Sequence, residues 1–169
     1  MIAAFNAKLA ANPSTTNAAA VNTFLKDPND VHMQGAAAAL ATRRGESGHN
    51  VPYRFDLIVS HLTLHHVPNM ADILATFYQC LKPDGFIALT DFEDFGEDAI
   101  KFHPKHKREG VERHGIKRSE IETMIDGTGF NMVRVETAYT LGKEVEAEEG
   151  QPAKLMDFPF LICLGQRTR

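Results

Sequence analysis

The chain has 169 residues, 43% hydrophobic and 24% charged, which as a prior gives one domain with a sizeable core and argues against wholesale disorder. A net charge of -4 excludes the basic surface of a general nucleic-acid binder, and two cysteines are too few for a disulfide scaffold. No apolar run approaches the ~18 residues of a membrane helix, and the N-terminus lacks the basic and apolar stretches of a signal peptide, so the expected location is the cytoplasm.

In chain order, residues 1–10 read as a short amphipathic helix with Ile2, Phe5 and Leu9 on one face. A loop rich in Ala, Asn, Ser and Thr follows, then a possible short strand over residues 20–25. Asp27-Pro28 marks a turn, and alanine-rich Gln34–Thr42 reads as a helix. The polar stretch Arg43–Tyr53 reads as an exposed loop.

Phe55–Ser60 is a mostly apolar run, the pattern of a strand buried on both faces. Asn69 caps a helix whose buried stripe is Ile73, Leu74, Phe77 and Leu81. Lys82-Pro83-Asp84-Gly85 turns the chain into a second strand, Phe86–Thr90, which ends at Asp91. Strand, helix and strand with short links make a βαβ unit.

The next stretch changes sign. Asp91, Glu93, Asp94, Glu97 and Asp98 are acidic, whereas Lys101–Arg118 carries a net +5 together with His103, His106 and His114. Ser119 is placed to cap a helix carrying Ile121, Met124 and Ile125, closed by Gly127. Strands are expected at Asn131–Tyr139 and Phe158–Leu164, joined by an acidic loop long enough for either orientation.

The segments FDLIVSHLTLHHV, LKPDGFIALTD and KRSEIETMIDGTGF, followed by two strands, resemble the C-terminal half of a class I S-adenosylmethionine-dependent methyltransferase. The type 11, ubiquinone-biosynthesis-like branch is the most similar. The resemblance implies an α/β, three-layer Rossmann-like fold with a mixed sheet that lacks its first two strands. It further implies one N-terminally truncated domain over 1–169, with 92–118 expected as a substrate-covering lid. The family's GxGxG loop, which lets backbone approach the methionine part of the cofactor, has no counterpart here. In the family sheet the missing first strand is central, so the strand at 55–60 is expected at an edge, open to a second copy or a complementing chain.

Ligands of open α/β sheets bind beyond the carboxyl ends of strands. By resemblance, Ser60, His61 and Leu62 line the methionine part of S-adenosylmethionine, and Asp91 faces a small-molecule substrate. Asp27 is the carboxylate nearest to the position expected for the adenine side. His65 or His66 is a candidate general base, because an imidazole titrates near pH ~6.5. A metal reading of His61 and His65 needs a helix there and a third ligand, so no metal is assigned. Nucleic acid is disfavoured, because only Phe102 interleaves with the basic residues of 101–118. That basic stretch suits an anionic substrate or pairs with the acidic run 91–98. The alternative to an enzyme is a non-catalytic truncated or pseudo-methyltransferase that binds no cofactor by itself.

Overall fold

The computed structural model describes residues 2–12, 14–15, 17–46, 52–148, 150 and 152–169. The chain divides into two compact units, residues 1–55 and 56–169.

The first unit holds two helices, α1 (Ile2–Ala11) and α2 (Val31–Arg43). The apolar side chains of α1 find no core, since none of its residues is buried. Helix α2 begins three residues earlier than its alanine pattern suggests. Asp30 supplies the reason. Its Oδ1 accepts from the Met33 N–H at 2.8 Å, and its Oδ2 accepts from the Thr23 hydroxyl at 2.9 Å. The buried stripe of α2 is Met33, Ala37 and Ala41, spaced by one helical turn. Gln34 ties the unit together. Its amide donates to the Pro28 and Tyr53 carbonyls and accepts from the Tyr53 N–H at 2.6 Å. The strand expected over residues 20–25 is not formed. A strand needs a ladder partner, and the segment has none; Thr23 spends its side chain on Asp30 instead. Part of the loop expected at Arg43–Tyr53, residues 47–51, lies outside the described residues.

The second unit is built on a mixed four-stranded sheet of order β1-β2-β4-β3. The strands are β1 (Phe55–His61), β2 (Leu81–Phe92), β3 (Phe130–Val145) and β4 (Lys154–Arg167). β4 pairs antiparallel with both β2 and β3, which settles the orientation that the connecting loop leaves open. Glu144, expected in that loop, is still in β3, and Glu149 lies outside the described residues. β1 lies at the edge, as expected. It is therefore not buried on both faces, and Leu57 and Val59 are 53% and 68% exposed.

Helices α3 (Met70–Cys80) and α4 (Arg118–Gly127) pack against each other and against the sheet. Asn69 caps α3 as its position suggests, with its side-chain oxygen accepting from the Ala71 and Asp72 N–H groups. Of the expected α3 stripe, Leu74 and Leu81 are fully buried, whereas Ile73 and Phe77 are half-buried. β2 starts at Leu81, before the expected turn, but pairs with β4 only from Phe86 on, and Asp84 absorbs the turn with a φ of 64°. Ser119 does not cap α4. The helix begins at Arg118, two residues before the start that a Ser119 cap would set, and the cap position falls to Lys117, which makes no side-chain capping bond. Arg118 anchors that end instead, with a two-pronged ion pair to Glu93 at 3.1 Å and a bond to the Thr137 hydroxyl at 2.8 Å.

Beyond β2 the chain makes a long excursion and returns to its starting point. Glu93 bridges to Ile116, the Asp94 N–H donates to the Ile116 carbonyl at 2.9 Å, and the Ile116 N–H donates to the Phe92 carbonyl at 2.9 Å. The excursion contains two 3-10 turns, Glu97–Phe102 and Lys105–Gly110. It is pinned to the sheet by aromatic packing. Phe102 stacks on Phe92 at 4.1 Å and meets Phe158 and Phe160 edge-on. Phe92, Val145, Phe158 and Phe160 form the buried cluster beneath.

Candidate functional site

The carboxyl ends of β1 and β2 meet at Thr90. Its hydroxyl shares a 2.7 Å hydrogen bond with His61 Nδ1, and its carbonyl accepts from the Leu62 N–H at 2.9 Å. Ser60 is adjacent and half-buried. Leu62 turns the chain with a φ of 53°, a left-handed conformation that costs a leucine about 1–3 kcal/mol. Strain of this kind concentrates where the backbone must present itself to a ligand.

After Leu62, a 3-10 turn over Leu64–His66 delivers two histidines. His61 is therefore in a strand and His65 in a 3-10 turn, so the helical spacing that a metal reading requires is not met. His65 is 2% exposed and Asp91 is fully buried. The His65 Nδ1 lies 2.8 Å from Asp91 Oδ1 and 3.0 Å from Oδ2. An ionised carboxylate only accepts, so Nδ1 carries the proton and Nε2 is the remaining nitrogen. Asp91 also accepts from the backbone N–H groups of His65 at 3.1 Å and Phe92 at 2.9 Å. Three N–H groups thus converge on one buried carboxyl group and leave it fully hydrogen-bonded.

His66 rests on the His65 ring, with centroids 4.0 Å apart, and is itself exposed. Partial burial and the neighbouring His65 ring hold its pKa below the ordinary histidine value. His103 joins this group from the far side of the excursion, a placement its position in a polar segment does not signal. Its ring lies 5.1 Å from His65, 6.4 Å from His66 and 6.1 Å from His114. Burial, reinforced by the surrounding histidines, pushes His103 down to about 4. The Nδ1 atoms of His103 and His114 are buried without a hydrogen-bond partner. Four histidines and an aspartate separated in sequence thus converge where the excursion folds back over the strand ends.

Asp27 belongs to the first unit, where its carboxylate closes a turn by accepting from the Asn29 N–H at 2.8 Å. The basic stretch also finds partners other than those expected. Lys101 pairs with Asp98 and Arg118 with Glu93 of the acidic run, as expected for part of the stretch. Arg108 pairs with Glu148 at 2.8 Å, the Lys105 N–H donates to Glu146 at 3.1 Å, and Lys105 Nζ donates to the Ala147 carbonyl at 3.0 Å. The excursion is thereby tethered to the β3–β4 loop. Lys143 reinforces the tether, donating to the Phe102 carbonyl and lying over the Phe102 ring at 4.4 Å.

A family profile described as a methyltransferase domain matches residues 5–135. The chain belongs to this family, whose members are class I S-adenosylmethionine-dependent enzymes. Solved structures share the fold. A candidate methyltransferase from Bacillus halodurans superposes with a TM-score of 0.56 at 16% identity, covering 71% of this chain and 74% of that one. The YcgJ protein of Bacillus subtilis gives 0.53 at 11% identity, covering 83% and 80%. Phosphoethanolamine N-methyltransferase 2 of Caenorhabditis elegans is 27% identical over 116 residues, 68% of this chain. The chain spans about a quarter of the length of that curated relative, 26%. No helix among the described residues is long and apolar enough to cross a membrane.

Of the two features that would face the methionine part of the family cofactor, the 169 residues supply one. The strained turn at Leu62, next to Ser60 and His61, offers backbone and side chain at a strand end. The 169 residues contain no GxGxG pattern to cradle the methionine moiety.

Proposed function

We propose that the protein carrying this chain transfers a methyl group from S-adenosylmethionine to a small-molecule acceptor at the ends of β1 and β2. The observation that carries this reading is the buried His65–Asp91 pair with His66 stacked on it at the strand ends. In this reading Ser60, His61 and Leu62 hold the methionine side of the cofactor. The type 11 branch remains the family group that the sequence resembles most.

Bound S-adenosylmethionine supplies an electrophilic methyl group on a sulfonium. The chain's own contribution is to bring the acceptor into line and to take its proton. Asp91 fixes His65 through Nδ1, and His65 supports the His66 ring from one side. His66 is neutral at pH 7, exposed, and free to accept a proton from an O, N or C nucleophile. A nitrogen acceptor, the class named by the nematode relative, suits this role. An ammonium must lose its proton before its lone pair can attack. The excursion over 92–118 serves as the lid above the acceptor, and a further strand, from a second copy or a complementing chain, lies beside β1.

Calorimetric titration with S-adenosylhomocysteine tests the reading, and micromolar binding is expected. A chain that gives no binding heat would favour the non-catalytic alternative.

A further inference from the structure

We infer that Arg113 is a positioning residue that couples the seating of the rest of the 92–118 excursion to the orientation of His65 and His66. Its guanidinium donates to three carbonyls of the histidine-bearing loop, those of Leu64 at 2.6 Å, Val67 at 2.7 Å and Pro68 at 3.0 Å. Its backbone N–H donates to the His65 carbonyl at 3.2 Å. The loop from Leu64 to Pro68 is thus gripped at four carbonyls by one residue of the excursion. Three of them accept from one planar fork. A lysine is a point donor on a flexible stem and cannot reproduce that geometry.

The position of Arg113 in the chain makes the grip a coupling. Three residues later the excursion is sewn to the end of β2 through Ile116, so Arg113 stands at its returning foot. The other end is held by Phe102 on Phe92 and by Lys105 and Arg108 on the β3–β4 loop. If those outer anchors are released, the strain falls on the Arg113 foot and on the carbonyls that set the path of His65. An acceptor that seats the excursion therefore also sets the two imidazoles. That this serves methyl transfer rests on the function proposed above; the coupling itself does not.

The test reads the imidazoles rather than turnover, so its failure is separable from failure of the methyl-transfer reading. Imidazole nitrogen and proton NMR of the full chain reports the His65 Nδ1–H bonded to Asp91 and the tautomer of His66. In Arg113→Ala and Arg113→Lys, hydrogen exchange at His65 Nδ1 is expected to rise about tenfold or more, the effect of losing hydrogen bonds to a charged group. A general loss of stability would leave the His65 and His66 signals in place within the folded population. A second variant leaves Arg113 intact and lies at an exposed position. Lys105→Glu removes the bond to the Ala147 carbonyl, sets a like charge beside Glu146, and is expected to move the His65 and His66 resonances through Arg113. Signals that superimpose on the unaltered protein in either case would overturn the coupling.

Discussion

His65 and Asp91 stand 26 residues apart in the chain and form a hydrogen-bonded pair of 2.8 Å with almost no solvent access. The pair exists because β1 and β2 are neighbours in the sheet and both end at the same level. Replacing Asp91 with Asn keeps the shape but sets an amide NH₂ among three N–H donors. The expected loss of stability is about 3 kcal/mol, as for removing one partner of a buried pair. Urea denaturation measures it, and a change below about 1 kcal/mol would show that the charge is not needed.

Gly115 is where the excursion closes on β2. Its φ is +101°, and a Cβ there would lie 2.7 Å from the Asp94 nitrogen and 2.9 Å from the Glu93 carbonyl carbon. Gly115→Ala is therefore expected to cost about 1–3 kcal/mol from backbone strain alone. Amide exchange at Asp94, which donates to Ile116, should accelerate in parallel. An alanine variant as stable as the parent would contradict the tight closure.

His103 makes stability depend on pH in a defined window. Its folded pKa is depressed to about 4, chiefly by burial, whereas in the unfolded chain it titrates near ~6.5. Between those values the unfolded state binds the additional proton, so stability falls as pH falls from about 6.5 towards 4. His103→Phe removes that proton and should flatten this part of the profile. Denaturation midpoints at pH 7 and pH 5 give the comparison. Equal slopes in both proteins would rule out His103 as the source.

Cys163 lies in β4, and burial pushes its thiol up to about 12. Cys80 is also buried. Neither should react with an alkylating reagent at pH 8 in the folded protein, and both should react in urea. Mass spectrometry counts the adducts, and rapid labelling of the native protein would mean that the sheet opens readily.

Lys107 separates the acceptor role of the excursion from its tether. Lys105 and Arg108 are engaged with the β3–β4 loop, so reversing them disturbs the anchor. Lys107→Glu alone should leave S-adenosylhomocysteine affinity unchanged and weaken an anionic acceptor several-fold, measured as KM. A loss of cofactor affinity instead would remove the lid from the account.

Much of the second unit was legible because its signals are local. The apolar runs of β1, β2 and β4, the Asn69 cap and the positions of α3 and α4 each depend on neighbours in sequence. Element ends were less legible, since β3 and β4 continue beyond their apolar stretches by pairing with each other from Val145 and Lys154 inward. The strand expected at 20–25 failed because a ladder partner is not a local property. At the site, Asp91 could be named from its strand-end position, and His65 and His66 from imidazole chemistry in the segment after β1. His103, His114 and Arg113 could not, because a polar segment rich in Lys and His gives no sign of which side chains turn inward. The pairing of Arg108 with Glu148 likewise depends on how the excursion folds back across the β3–β4 loop.

The central claim is that the ends of β1 and β2 form the cofactor side of a methyl-transfer site. Ultraviolet cross-linking of the protein with radiolabelled S-adenosylmethionine, followed by peptide mapping, addresses it without knowledge of the acceptor. Saturable label, displaced by S-adenosylhomocysteine, is expected on the stretch from Ser60 to His66. Label confined to other parts of the chain, or none that the competitor displaces, would contradict it.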